Sequence, residues 1–322
     1  MSASWTRRQR WKNDLIHAFA VALFALLPRV PASLLRRLGQ GLGWLAPRVL
    51  ARQRRMAEGN LAQVFPRMSS AERKELTRAS FRRLGACLGD ALVAASGRVL
   101  PVLPFAAGGE RVLRAAIAEG RGVLLVSAHL GPWEQVASSL VAHGVPLVAV
   151  TRGAYDPRLD FVYRRLRGPS GVAAIERGAP GSTARIVRTL RGGGVLGAPM
   201  DLASRARSVH GLFLGRPART VVGPARLALA TGAAVVVVTA DRAHRLIVER
   251  IPREEAGGAF SAMERDRAAH VLTQRLNDVL GERVLAFPEG WVWMHERFVE
   301  PSQASRLGSP TQPAWSSPPA ST

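Results

Sequence analysis

The sequence predicts an α/β fold: a largely parallel central sheet flanked by helices, carried behind a basic and apolar helical segment at the amino terminus. Three observations predict it. From Gly122 onward, short β-type runs alternate with helical ones at spacings suited to parallel crossovers. The 322 residues are 47% hydrophobic with a mean hydropathy of +0.05, too apolar for a disordered basic tail and too polar for a multi-span membrane protein. The single cysteine, Cys87, removes any intramolecular disulfide framework and any multi-cysteine zinc or iron–sulfur site, so the fold rests on its core.

The elements follow in order. Residues 15–27 are thirteen in number and apolar except for His17. As a helix they reach about 20 Å, short of the ~30 Å hydrocarbon core of a bilayer, which suits partial insertion better than spanning. After Pro28 and Pro31, Leu34, Leu35, Leu38, Leu42 and Leu45 recur at helical spacing with Arg36, Arg37 and Gln40 off that stripe, the pattern of an interfacial amphipathic helix. Two alternatives stand beside it. One is a cleaved signal peptide, for which Val30-Pro31-Ala32 is a poor cleavage site; the other is an ordinary buried helix. Residues 69–96 read as a helix opened by a Ser69-to-Glu72 capping box. Cys87, inside it, reads as a small core residue. Strands are predicted at 122–127, 145–150, 172–175, 195–199, 233–239 and 245–251, and helices at 132–142, 156–167, 182–191, 222–231 and 263–281. The chain thus divides into basic, apolar, membrane-associating helices at 1–55, an α/β body at 56–300, and a Pro/Ser-rich tail at 301–322 expected to be disordered.

Charge narrows the partners. There are 45 basic residues against 23 acidic ones, a net charge of +22, and all but Lys12 and Lys74 of the basic residues are arginines. The first 55 residues hold eleven basic residues and one acid, Asp14. Such a segment attracts polyanions. Its arginines alternate with leucines instead of stacking aromatics, and no nucleic-acid reader motif occurs, so an anionic membrane surface is the expected partner and nucleic acid is not.

The chemistry gathers at Ser127 to Glu134. Gly131 suits a helix N-cap and Pro132 the first helical position, which leaves His129 in the strand-to-helix loop and Glu134 in the first turn. A carboxylate bonded to one imidazole nitrogen fixes the tautomer and makes the other nitrogen more basic, so His129 with Glu134 reads as a general base and its partner. A histidine that merely caps the turn is the alternative. Ligands in such sheets bind beyond the carboxyl ends of the strands, where Arg152, Asp201 and Asp241 are also expected. Each taken alone is more often a solvated loop charge than a site residue. One nearby histidine and no nearby cysteine suit zinc poorly, and Gly192-Gly193-Gly194 precedes a strand instead of opening a helix, so neither a metal nor a dinucleotide is expected.

From about Phe19 to Phe298 the sequence resembles the bacterial lipid A biosynthesis (lauroyl/myristoyl) acyltransferases, a family that also includes phosphatidylinositol mannoside acyltransferases. The matching parts are Leu27-Pro28, Asn60-Leu61, Phe65-Pro66, His129 through Glu134, Thr151-Arg152, Asp156-Pro157, Asp201, Leu212 through Gly215 with Thr220, Ala225 to Gly232, and Pro288-Glu289 with Trp291, Trp293, His295 and Arg297. The resemblance implies a glycerolipid acyltransferase-like fold. It also implies transfer of a fatty acyl chain from a thioester, acyl carrier protein or acyl-CoA, to a glycolipid hydroxyl at the cytoplasmic face of the inner membrane, with no cofactor and no covalent acyl-enzyme. His129 is then the base and Glu134 its orienting partner. Arg152 and backbone N–H groups at the Pro132 helix start are oxyanion candidates. Arg152, Asp201, Glu289 and Arg297 are the candidate substrate-binding residues, the last two as pocket wall; Asp201 alternatively supports His129. The sequence departs from the family where Glu296, Val299 and Glu300 surround Arg297-Phe298 in place of further basic residues, which bears on the acceptor. Rival readings are a non-catalytic basic binding module and a hydrolase using His129 and Glu134 with water.

Overall fold

A computed structural model describes residues 5–153, 156–203, 206–252 and 261–299; the predicted tail at 301–322 lies outside them. The chain opens with α1 (Arg7–Leu26), begun by a capping box between Thr6 and Gln9, so the helix starts a full two turns before its apolar stretch. It buries little beyond Asn13 and Phe24, while Trp11, Leu15, Phe19 and Leu26 are exposed. Arg158 holds it to the body through Asp14 at 2.8 Å. No helix among the described residues is long and apolar enough to cross a membrane.

In α2 (Ala32–Val49) the leucine stripe faces outward except for Leu35. Leu35, Gly39, Gly43 and Pro47 face inward, and Leu34, Leu38, Leu42, Trp44 and Leu45 are exposed. The reason lies in α4 (Ser70–Ala95), whose Gly85 and Gly89 meet Gly39 and Gly43 backbone to backbone. A Cβ on Gly39 would stand 2.4 Å from the Gly85 carbonyl oxygen, and one on Gly85 2.5 Å from that of Gly39. Only glycine permits so close a crossing. Between these helices α3 (Ala51–Val64) turns the chain, and the Ser69–Glu72 capping box opens α4 as its sequence predicts. The sequence reading has no counterpart to α3, nor to α5 (Gly109–Ala118).

The sheet has six strands: β1 (Val123–Ser127), β2 (Leu147–Arg152), β3 (Ala173–Arg177), β4 (Val195–Pro199), β7 (Ala234–Ala240) and β8 (Leu246–Ile251), in the order β3-β2-β4-β1-β7-β8. All neighbours are parallel except β7 with β8. The central strands are apolar on both faces, as parallel strands covered on both sides must be. Leu124, Val126, Val235 and Val237 enter one core with α9 (Gly223–Thr231) and α10 (Ala262–Ala286); Val123, Leu125, Val236 and Val238 enter the other with α5 and α6 (Trp133–Ala142). A second, two-stranded unit, β5 (Ser208–Phe213) with β6 (Arg216–Val221), is absent from the sequence reading. Its turn places Leu214 and Gly215 at φ 53° and 71°, the paired positive values of a type I′ hairpin, and a leucine gives no signal of that. The remaining helices, α7 (Asp160–Arg167) and α8 (Ser182–Arg191), fall where predicted, α7 after a 3₁₀ turn at Pro157–Leu159.

Candidate active site

The connection from β1 runs toward β2 and that from β4 toward β7, on the other side of β1, so the adjacent pair β1–β4 is where the winding reverses. A crevice opens beyond strands at such a point. Register then fixes who meets whom. Ser127 pairs with Pro199 and the ladder continues from Met200 N–H to Ser127 O, so His129 and Asp201, each two residues further, stand opposite each other.

The His129 ring is held by Asp201. Nδ1 lies 2.9 Å from Asp201 Oδ1, and the His129 backbone N–H donates to Oδ2 at 2.9 Å. Trp291 Nε1–H donates to that same Oδ2 at 2.9 Å. Asp201 is 0% exposed. Burial would push its pKa up, but the imidazole and these N–H donors hold it below the ordinary carboxylate value, so it stays ionised and acts only as an acceptor. The proton of the neutral ring therefore sits on Nδ1 and Nε2 keeps its lone pair. Burial alone would make His129 less basic; the Asp201 carboxylate, its hydrogen bond and the Glu134 carboxylate outweigh burial, and the pKa rises above the ordinary histidine value. Glu134 thus acts on the ring through its charge, while the hydrogen bond the sequence reading gave to Glu134 is made by Asp201. Asp201 comes off the neighbouring strand in register; Glu134 sits exposed on the first turn of α6.

The loop that carries His129 is pinned from behind. Pro132, not Gly131, is the N-cap of α6, and Trp133 N–H bonds Gly131 O at 3.1 Å across it. Gly131, at φ 58°, donates to Gly290 O at 2.9 Å, and a Cβ there would stand 3.0 Å from the Phe287 ring. These two N–H groups, candidates for an oxyanion, are already engaged. The segment that Gly131 meets is the carboxy-terminal motif. Asn60 donates to Trp293 O at 2.7 Å and His295 O at 2.8 Å, and Ser80 to Trp291 O at 2.7 Å. Sequence reasoning gave Asn60, Ser80 and Trp291 no such roles; buried polar side chains far apart in sequence carry no local signal.

Arg297 is 2% exposed, its guanidinium donating to Arg219 O at 2.6 Å and Thr220 Oγ1 at 2.8 Å over the Phe213 ring. Burial brings its pKa down to about 10. It therefore braces the hairpin β5–β6 from inside. Glu289 pairs with Arg242 at 2.8 Å at the rim. Arg152 is exposed at the end of β2, in register with Arg177 and separated from β1 by β4. Asp241 pairs with Arg245 at 2.7 Å across the β7–β8 turn, the loop-charge alternative.

Beside His129 lies an apolar cavity of about 390 Å³ between α4 and α6, in the size range of small-molecule pockets, with Leu84, Leu88, Ala91 and Ala94 on one side and Trp133 and Glu134 on the other. The Trp133 ring meets the His129 ring edge-on at 5.4 Å, so the cavity begins one side chain from His129. Cys87 also lines it; its thiol donates to Gly131 O at 3.3 Å, and burial raises its pKa to about 11, which leaves it unreactive.

The chain is similar to a lipid A biosynthesis palmitoleoyltransferase of Escherichia coli K12, 28% identical over 290 residues, which are 87% of this chain and 90% of that one. A lipid A biosynthesis acyltransferase of Shigella flexneri matches equally, and a lipid A biosynthesis lauroyltransferase of Escherichia coli K12 is 26% identical over 312 residues, 91% of this chain and 96% of that one. The bacterial lipid A biosynthesis acyltransferase family matches residues 6–300. The protein therefore belongs to that family and is an acyltransferase.

Proposed function

We propose that this acyltransferase moves a fatty acyl chain from a thioester, on acyl carrier protein or CoA, to a hydroxyl of a lipid A precursor at the cytoplasmic face of the inner membrane, with His129 as general base. The observation that carries the reading is the His129–Asp201 pair set one side chain from an apolar cavity. An alcohol is a poor nucleophile at neutral pH, and removal of its proton during attack is worth about 10² to 10⁴ in rate. His129 Nε2 takes that proton as the oxygen bonds to the thioester carbonyl. The tetrahedral intermediate then expels the thiolate, which recovers the proton from the imidazolium. The acyl chain lies in the cavity beside Trp133. Arg152, exposed beyond β2, meets the acceptor's negative charge; Glu289, engaged by Arg242, lines the rim.

Residues 1–55 form the membrane-associating part and 56–300 the catalytic body. The exposed Trp11, Leu15, Phe19, Leu34, Leu38 and Trp44, among eleven basic residues in the first 55, supply what an anionic bilayer surface attracts. The decisive assay supplies acyl-thioester and lipid A precursor to wild type and His129→Ala and follows the product by mass spectrometry. The variant makes no product while its circular dichroism and vesicle flotation match wild type; near-normal turnover ends the proposal.

A further inference from the structure

A second cavity of about 350 Å³ lies where α2, α3 and α4 come together, apart from His129. Arg48, Arg54, Lys74 and Arg78 line it with one acid, Glu58, which pairs with Arg54 at 3.9 Å, while Glu75 pairs with Arg78 at 3.5 Å just outside, so positive charge remains in excess. Thr77, on its wall, is 1% exposed, and its Oγ1 has no hydrogen-bond partner. A helical threonine ordinarily returns its hydroxyl to the carbonyl four residues back; one left unpaired and buried calls for an outside partner. Four cations around an orphan hydroxyl suit a group with several charged oxygens, which arginine forks and a lysine point charge recognise together. Thr77 precedes Leu84, the nearest cavity residue on α4, by seven positions, about 10 Å along the helix, so the two cavities are distinct.

The rim indicates what carries such an anion. Arg48 stacks on Trp44 at 3.7 Å, and Trp44, Leu45, Val49 and Leu50 are exposed around the end of α2, continuous with the uncovered leucines of that helix. Charge at the bottom and apolar surface at the edge match a headgroup with its chains. We propose that this cavity binds the phosphate of an anionic phospholipid headgroup, with the acyl chains laid along the exposed face of α2. The site goes beyond acyl transfer and stands whether or not His129 is the base.

The test uses the full chain with vesicles of phosphatidylcholine alone or with one third phosphatidylglycerol, by sedimentation. Thr77→Val keeps shape and charge and removes only an unpaired hydroxyl, so it folds as wild type, verified by melting. It loses about tenfold in affinity for the anionic vesicles, the worth of a hydrogen bond to a charged group. Each basic residue at an anionic surface is worth about fivefold wherever it stands, so Lys74→Ala with Arg78→Ala is compared with Arg7→Ala with Arg8→Ala. The cavity pair loses at least tenfold more than the control pair. Wild-type binding by Thr77→Val together with equal losses in the two pairs overturns the proposal in favour of a diffuse field. Inorganic phosphate bound by wild type and lost in Thr77→Val, with vesicle binding unchanged, assigns the cavity to a free anion and overturns the lipid. Loss of acyl carrier protein binding in the Lys74/Arg78 pair with vesicle binding intact overturns it in favour of a protein partner.

Discussion

Asp201→Asn separates charge and tautomer from shape. Asp201 accepts N–H bonds from His129 N and Trp291 Nε1 on Oδ2 and faces His129 Nδ1 with Oδ1. Asparagine keeps the first two acceptor bonds by placing its oxygen at the Oδ2 position, which turns its NH₂ toward Nδ1. The ring must then accept at Nδ1 and carry its proton on Nε2, where the alcohol needs a lone pair. The loss is the general-base contribution, about 10² to 10⁴ in kcat. The pH profile moves as well. A base works when neutral, so activity rises through the pKa of His129, which the Asp201 and Glu134 carboxylates set above the ordinary value against burial. Without Asp201's charge, burial dominates and the acid limb moves to lower pH. Stability follows the same sign: the raised His129 pKa contributes stability below the unfolded value near 6.5, and that contribution disappears as pH rises through the folded value. Asp201→Asn therefore narrows the stability gap between acid and neutral pH. The assay is initial rate against pH with saturating thioester, beside thermal melts at two pH values. A variant within threefold of wild type, with its acid limb in place, refutes the orienting role.

Glu134→Gln removes the second carboxylate that raises His129, so kcat falls by about tenfold or more and the acid limb again moves down; an unmoved limb shows that Glu134 does not act through the ring's charge. Ala94→Leu adds three carbons inside the cavity, seven residues or about 10 Å along α4 from Cys87. At about 0.8 kcal/mol per buried methylene, the preferred acyl donor loses roughly 50-fold while one two or three carbons shorter is spared. Competition between donors of different length reads this out, and an unchanged preference removes the acyl chain from that cavity. Gly85→Val drives a side chain into the Gly39 carbonyl 2.5 Å away and destabilises by about 3 kcal/mol, measured by denaturant unfolding. A change under ~0.5 kcal/mol refutes the close crossing.

The alternation of elements after Gly122 was legible because strands such as β1 and β7 are apolar on both faces and short, while the helices between them keep one polar side. That topology was enough to bring Asp201 to the same edge as His129. It was not enough to choose between Asp201 and Glu134 as the ring's partner, because the choice depends on which strands are neighbours. Strand order is a product of long-range pairing, and nothing local to residues 127–134 encodes that β4 lies beside β1. A sequence signal exists in retrospect: each residue stands two places beyond its strand's last residue. Arg297 illustrates the opposite limit. Arginine is the residue least expected in a core, and its burial becomes intelligible only once Arg219 O, Thr220 and the Phe213 ring converge on it from a hairpin the sequence did not disclose.

The amino-terminal helices show how a hydrophobic stripe can point outward. Leucine spacing in α2 reads as one apolar face, which an interfacial helix turns outward and an ordinary buried helix would seat on the body. The residues that decide the docking are the glycines, because a helix crossing as close as that of α2 with α4 excludes every larger side chain from the line of contact. Once Gly39 and Gly43 are committed to Gly85 and Gly89, Leu34, Leu38, Leu42 and Leu45 are rotated off the contact and left uncovered. Burying them against the body instead would expose the glycines and leave Arg36 without Asp90, its partner at 2.8 Å. The exposed leucines are thus a consequence of the packing that holds the segment in place, and they lie beside Arg37, Arg48 and Arg52 on a surface of the charge and polarity an anionic bilayer meets.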